Sequence, residues 1–305
     1  MRKLNTFIAI FILSFLREID LMTEKVLVVG LGEVGLPIYE LLDESKEFLV
    51  FGFDVNETKM KKVNQINLPA TVDIMHVCMP YLNQKQFVDF ILKYIKLFNP
   101  KLVIINSTVV PGTTRKIHEK TKCMVTHSPV RGVHQNHEHM KWELKRWTKY
   151  VGGADKKSTK TAFKHFQKAG FETKMFKSCE ESELAKLFET TYRAWMIACF
   201  QEMHRIAQKF NADFNDTADF LEDTHRVRFD RPIMFPGPIG GHCLIPNTEL
   251  LLSVYESKFL RLILESNEKR KIEIKEEQTA VEIENVKKRS ETLEKLMKNR
   301  CKSNQ

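Results

Sequence analysis

Residues 25–54 constrain the fold more than any other stretch of the chain. Lys25-Val-Leu-Val-Val-Gly30 is an almost wholly apolar strand, and Gly30-Leu31-Gly32-Glu33-Val34-Gly35 follows at once. An amphipathic helix carrying Val34, Ile38, Leu41 and Leu42 then leads to a second apolar strand, Phe48 to Phe53, which ends in Asp54. Strand, GxGxxG, helix, strand and acid, in that order, make a dinucleotide-binding fingerprint. The glycines permit a tight turn and let the pyrophosphate approach the helix N-terminus, where unpaired N–H groups meet it. An acid at the position of Asp54 accepts hydrogen bonds from ribose hydroxyls and repels a 2′-phosphate. The expected cofactor is therefore NAD, with Gly30, Gly32, Glu33, Val34, Gly35 and Asp54 as its binding residues.

Further α/β units follow. Val72 to Met79 and Leu102 to Asn106 read as strands around a helix from Gln84 to Leu97. Short strands are expected at Met124–Thr126, Tyr150–Gly152 and Phe171–Phe176, with a helix over Ser158–Ala169. Alternation of this kind predicts a parallel, doubly wound sheet. From Glu180 to Phe210 apolar residues recur at helical spacing, and a second helical stretch covers about Asp216 to Asp223. After Glu256 the chain becomes rich in Lys and Glu with sparse apolar residues, which predicts a solvated or partner-seeking helix.

The fold class expected is thus α/β: a Rossmann-type doubly wound parallel sheet, then a mainly helical central domain, then a charged C-terminal helix. The boundaries expected are a leader or start-site extension over 1–21, an NAD-binding domain over 22–178, a central domain over 179–255 and a tail over 256–305. Trp195, Ile197, Phe200 and Met203 cover more than one face of the long helix, so a homodimer through residues 180–210 is expected.

Composition narrows the class. A chain of 305 residues, 43% hydrophobic and 29% charged, is long enough for about two cored domains. The six cysteines (Cys78, Cys123, Cys179, Cys199, Cys243 and Cys301) form no CxxC pair, which argues for reduced thiols in a cytoplasmic protein and against a disulfide framework or zinc site. The net charge of +9 is spread over Lys-rich helices without an aromatic-interleaved basic stripe, so no nucleic-acid partner is expected. The apolar run Phe7–Leu16 is too short to span a bilayer, which takes about 20 residues, and no small-residue cleavage site follows it. No membrane association is expected.

The second chemical signal is Phe235-Pro-Gly-Pro-Ile-Gly240-Gly241-His-Cys243, a glycine- and proline-rich loop closing on one thiol. Paired glycines let backbone approach a ligand, and a cysteine in such a loop is presented to it. Three other segments belong with it: Asn106-Ser-Thr108-Val-Val-Pro-Gly-Thr-Thr-Arg115, Ser182-Glu-Leu-Ala-Lys186, and Arg231 twelve residues before Cys243. Together with Gly30-Leu-Gly-Glu-Val-Gly-Leu-Pro37 they resemble the UDP-glucose/GDP-mannose 6-dehydrogenase family, in the family's order, from about residue 25 to 250.

That resemblance implies two successive NAD-dependent oxidations of a hexose C6 alcohol through an enzyme-bound thioester, in polysaccharide precursor metabolism. It implies Cys243 as the nucleophile, Lys186 as base or oxyanion stabiliser and Thr108 near the reaction centre. Arg231, Thr190, Gly240, Gly241, Asn247 and Arg131 fall on the substrate side. Two alternatives stand beside it: a two-electron dehydrogenase of a small hydroxy acid, and an impaired NAD-binding subunit acting through a protein partner of its tail helix.

The departures from the family are specific. Its Pro-Glu reads Pro129-Val130 here, so the glutamate used in thioester hydrolysis is absent. The asparagine one turn after the helix lysine is Thr190, and the aspartate four residues after the cysteine is Asn247. His134 and Glu138 are candidate substitute bases. The cluster His134, His137 and His139 lacks a second ligand cluster, and no metal is assigned to it. No nucleotide-sugar-binding βαβ pattern follows Tyr255.

Overall fold

The computed structural model describes residues 23–63 and 67–303; the leader expected over 1–21 lies outside the described residues. The chain divides into two compact units, Met1–Lys186 and Leu187–Gln305.

The first unit is built on β1 (Lys25–Val29), whose Val26 to Val29 are at most 1% exposed. A strand buried on both faces is the mark of a parallel sheet covered by helices on each side. Side chains alternate across it. Val26 and Val28 pack on one face with Leu36, Ile38, Leu41 and Leu42 of α1 (Gly35–Glu44), and Leu27 and Val29 pack on the other with Phe87, Val88 and Ile91 of α3 (Gln84–Phe98). Between them lie β2 (Leu49–Phe53), the short α2 (Glu57–Met60) and β3 (Ile74–Val77). Helix α3 is stopped by its ends: Asn83 caps the N-terminus by accepting from Gln86 N, and Asn99 turns left-handed at the C-terminus.

The unit continues with β4 (Leu102–Ile105), α4 (Thr113–Thr121), β5 (Met124–His127), α5 (His137–Arg146), β6 (Lys149–Gly153), α6 (Lys156–Lys168) and β7 (Thr173–Met175). The sheet order is β2-β1-β3-β4-β5-β6-β7. The direction of winding therefore reverses between β1 and β3, and the crevice at their carboxyl ends is where such sheets bind ligands.

Two strands depart from the expected all-parallel arrangement, β6 and the β7 that pairs parallel to it. β6 runs antiparallel to β5, with Thr126 opposite Gly153 and His127 opposite Gly152. A parallel strand would need the chain to return to the amino edge of the sheet. Instead α5 packs on α1, where Glu40 takes His137 at 2.9 Å and Lys141 at 3.0 Å, and β6 enters from the edge where β5 ended.

The second unit is helical. It holds most of α7 (Cys179–Lys209), then α8 (Phe214–Arg228), α9 (Leu244–Leu252), α10 (Lys258–Glu273) and α11 (Glu277–Ser303). Two expectations change here. Ile197 and Phe200 are buried within the unit, so of the four apolar residues named for an outward face only Trp195 and Met203 remain partly exposed, joined by Phe188, Tyr192, Ile206 and Phe210. The tail is not one solvated helix. α10 buries Leu260, Ile263, Asn267 and Arg270 and packs on α9, while Val286 of α11 is fully buried with Phe200, Ala207, Phe214, Ala218 and Ile233. Sparse apolar residues suffice because they fall on one inward stripe and buried polar partners complete it.

Candidate active site

The three glycines of the dinucleotide loop do different work. Gly30 lies at φ +91°, and a Cβ there would stand 2.7 Å from the carbonyl oxygen of Cys78. A Cβ on Gly35 would meet Gly30 O at 1.7 Å, so only glycine lets α1 start this close to the end of β1. A Cβ on Gly32 would make only an ordinary contact, with the Lys59 ammonium at 3.8 Å. Two glycines thus satisfy the protein's own packing, and the middle one leaves room for a ligand to touch backbone. Asp54 is 8% exposed and fixes the loop, accepting from Leu31 N–H at 2.8 Å through Oδ2 and from Asn56 N–H at 2.9 Å through Oδ1. Lys59 lies 3.5 Å from the same Oδ2. Glu33 pairs with His134 at 3.4 Å, and Val34 is the first-turn boundary of α1, packed against the core.

Thr108 is half-buried in the turn after β4, next to Ser107, whose hydroxyl donates to Met79 O at 2.6 Å. Lys186 closes the first unit on α7, one turn after Glu183. Glu183 is buried at the start of α4, where it accepts from Gly112 N–H at 2.7 Å, Thr114 N–H at 2.9 Å and Thr114 Oγ1 at 2.7 Å. Burial pushes its carboxyl up to about 7, against those donors. Arg131 does not stand open to a ligand: its guanidinium donates to Thr148 O at 2.7 Å and lies over the Trp147 and Tyr150 rings. Val130, at the position of the family's glutamate, packs against the sheet core.

Sequence reasoning missed a buried polar group behind the sheet. His76 Nε2 meets His165 Nε2 at 2.9 Å, Asn106 Nδ2 meets His76 Nδ1 at 3.2 Å, and Lys149 donates to Ser128 O at 3.2 Å. Burial lowers His165 to about 3 and Lys149 to about 7, and raises the Cys78 thiol to about 12. His127, lowered to about 3 by burial, meets Ser182 Oγ at 2.9 Å. The only signal for these was a polar residue inside an apolar strand, as in Ile74-Met-His76-Val77.

In the second unit Cys243 is exposed and occupies the N-cap position of α9. Gly240 and Gly241 are exposed beside it; a Cβ on either would meet nothing within 4 Å, and Gly241 lies at φ +83°. The two substituted positions meet each other. Asn247 Nδ2 donates to Thr190 Oγ1 at 3.2 Å, and the Thr190 hydroxyl donates on to Leu187 O at 3.0 Å. Both residues are buried. Arg231 is half-exposed and paired with Asp230 at 2.8 Å, its N–H donating to His225 Nδ1.

A model of the UDP-glucose/GDP-mannose dehydrogenase family, central domain, matches residues 180–269. The UDP-N-acetyl-D-mannosamine dehydrogenase of Methanocaldococcus jannaschii is 27% identical over 290 residues, covering 80% of this chain and 65% of that protein. The chain resembles the UDP-glucose/GDP-mannose dehydrogenase family. The enzyme of the same name from Methanococcus maripaludis is 28% identical, with 82% of this chain and 66% of that one covered. The chain therefore spans about two thirds of the length of these curated relatives. Among solved structures, UDP-D-ManNAc dehydrogenase from Pyrococcus horikoshii matches with a TM-score of 0.68 at 24% identity, covering 81% of this chain and 68% of that one. A 3-hydroxyisobutyrate dehydrogenase from Mycobacterium tuberculosis matches with 0.62 at 16% identity, covering 87% and 99%. These likenesses show the fold. The family match extends through most of α10, in keeping with the burial of that helix in the second unit.

The three histidines do not converge. His134 goes to Glu33, His137 to Glu40 and His139 to Glu143. Among the described residues no group of three or more His, Cys, Asp or Glu is arranged to hold a metal ion, and no helix is long and apolar enough to cross a membrane.

Proposed function

We propose that this protein oxidises the primary alcohol of a nucleotide sugar with NAD, and that UDP-N-acetylmannosamine is the first substrate to try. The observation that carries the reading is the division of labour among the glycines. Gly30 and Gly35 are demanded by packing, whereas Gly32 opens the loop to a pyrophosphate beside a carboxylate suited to ribose hydroxyls. The names of the relatives supply the substrate class. NAD, when bound, supplies the hydride acceptor.

The chain's own residues would do the rest. Gly32, Glu33 and Val34 would present backbone to the pyrophosphate, and Asp54 would hold the adenosine ribose. Lys186 would take the proton from the substrate alcohol, with Thr108 beside the reacting carbon and Arg231 gripping the sugar nucleotide. The exposed Cys243 thiol would add to the aldehyde, with the N–H groups of the first turn of α9 favouring the negative charge that develops there, and loss of the resulting thiohemiacetal's hydride to a second NAD would leave the thioester on Cys243. Release is the weak step. Val130 cannot activate water, and Asn247 is tied to Thr190. Since general-base assistance contributes about 10²–10⁴ in rate, the thioester is expected to accumulate.

The test is a panel of UDP-, GDP- and unmodified sugars with NAD, counting NADH per product and weighing the intact protein. An acylated Cys243 in the wild type, its loss in Cys243→Ser and its faster release in Asn247→Asp are expected. No NADH and no adduct with any sugar would sink the reading. The exposed Phe188, Tyr192 and Ile206 of α7, with Phe210 just beyond it, support self-association through that helix; sedimentation as a monomer at working concentration would exclude it. Ile283 and Val286 of α11 are buried in the second unit, so the charge of the tail is not by itself a reason to give the protein a partner through it.

A further inference from the structure

Between Phe235 and Cys243 the chain has no helix or sheet ladder to hold it. Two side chains from distant helices fix its course instead. Gln201 on α7 donates from Nε2 to Gly237 O at 2.8 Å, and Asn267 on α10 accepts the Ile239 N–H on Oδ1 at 2.7 Å. Gln201 is fully buried and Asn267 is 1% exposed. Neither is free to turn. Gln201 Oε1 accepts from Ser266 Oγ at 2.7 Å, and the buried Arg270 donates to Gln201 O at 2.7 Å while meeting His204 Nδ1 at 3.1 Å. Asn267 Nδ2 has no hydrogen-bond acceptor among the described residues, so the bond to the loop is what its amide contributes.

Exposure changes sharply at that bond. Ile239 is buried, whereas Gly240, Gly241, His242 and Cys243 are exposed. On the far side, Asn247 is pinned to Thr190. The thiol therefore sits on a short exposed span between two fixed points, and two adjacent glycines supply no stiffness of their own.

We propose that Asn267 and Gln201 are positioning residues for Cys243, holding the loop so that the thiol is presented in one place without touching substrate themselves. The charged C-terminal segment thereby becomes part of the apparatus that aims the nucleophile. This inference rests on the reading of Cys243 as nucleophile, but its first readout does not need turnover.

Three variants of the full chain decide it: Asn267→Leu, which keeps the shape and removes the acceptor; Asn267→Asp, which keeps an acceptor oxygen; and Gln201→Met, which removes the second anchor. Amide hydrogen exchange across 235–243 is expected to quicken about five- to tenfold in Asn267→Leu and Gln201→Met, as loss of one hydrogen bond implies, with exchange in α8 and α11 unchanged. The rate of Cys243 acylation should fall by a similar factor with the KM for NAD unaltered, and Asn267→Asp should recover most of both. If Asn267→Leu does not fold, Gln201→Met carries the same comparison. Exchange that is unchanged, or that quickens equally throughout the second unit, overturns the proposal. A wild type that makes no NADH while its loop still responds to these variants counts against the proposed function alone.

Discussion

The two chemical loops of this molecule are held in opposite ways. The dinucleotide loop of the first unit is fixed by the backbone of the elements it joins: Gly30 ends β1 against Cys78 O, Gly35 starts α1, and Asp54 at the end of the adjacent strand ties down Leu31. The Cys243 loop of the second unit is fixed by residues far along the chain, Gln201 to Gly237 and Asn267 to Ile239, 36 and 28 positions away. A loop between elements that must pack anyway inherits their geometry. A loop between loosely patterned helices must be held by specific buried hydrogen bonds, and its aim then depends on distant side chains.

The comparison breaks most easily at Gly35. Gly35→Ala puts a Cβ 1.7 Å from Gly30 O, a backbone atom that cannot swing aside, and the first unit should lose its cooperative thermal transition. A soluble variant melting as the wild type does would show that α1 does not begin where its glycine demands.

The next effect is a dependence on pH to which buried groups of the first unit contribute. His127 and His165 are held neutral to about 3 against an ordinary 6.5, so between those values the unfolded chain binds more protons and stability falls as pH is lowered. Glu183 works the other way: its carboxyl keeps its proton to about 7 against an ordinary 4.5, so its share of stability is lost as pH rises through that window. Thermal melts should therefore show a net loss on acidification below about 6.5, a slope set by the histidines. His165→Phe is expected to flatten that slope at a cost of about 1–3 kcal/mol, since it leaves the buried His76 Nε2 without its partner. Glu183→Gln should steepen it. A slope that neither variant alters would place the titrating groups elsewhere.

The smallest effect on stability belongs to Gly32→Ala. Its Cβ makes only an ordinary contact with the Lys59 ammonium, so the melt should hardly change, within about 1 kcal/mol. NAD affinity measured by calorimetry should nevertheless fall. Equal loss of stability at Gly32 and Gly35 would remove the distinction between a packing glycine and a ligand glycine.

Much of this was legible in the linear chain, and the reason differs by region. The apolar runs of β1 to β4, the glycine spacing and Asp54 carry local signals, since a parallel strand buried on both faces has to be apolar and a tight strand-to-helix turn has to be glycine. The direction of β6 was not legible, because nothing in Lys149–Gly153 records that α5 docks on α1. The tail was misread for a similar cause: charge density suggests a solvated helix, but a narrow inward stripe of Leu260, Ile263, Asn267 and Arg270 is enough to bury one face. Substitutions that looked like two separate losses, Thr190 and Asn247, are one hydrogen-bonded pair.

The sequence by itself determined the parallel strands β1 to β5, the dinucleotide loop and the presence of a thiol in a glycine-rich loop, all of which follow from residues close together in the chain. Only the tertiary structure decided which glycines the packing demands, that His134, His137 and His139 part company, and that Asn267 holds the Cys243 loop. Those facts depend on contacts between residues tens of positions apart, and no pattern in the chain records where a hydrogen bond will find its partner.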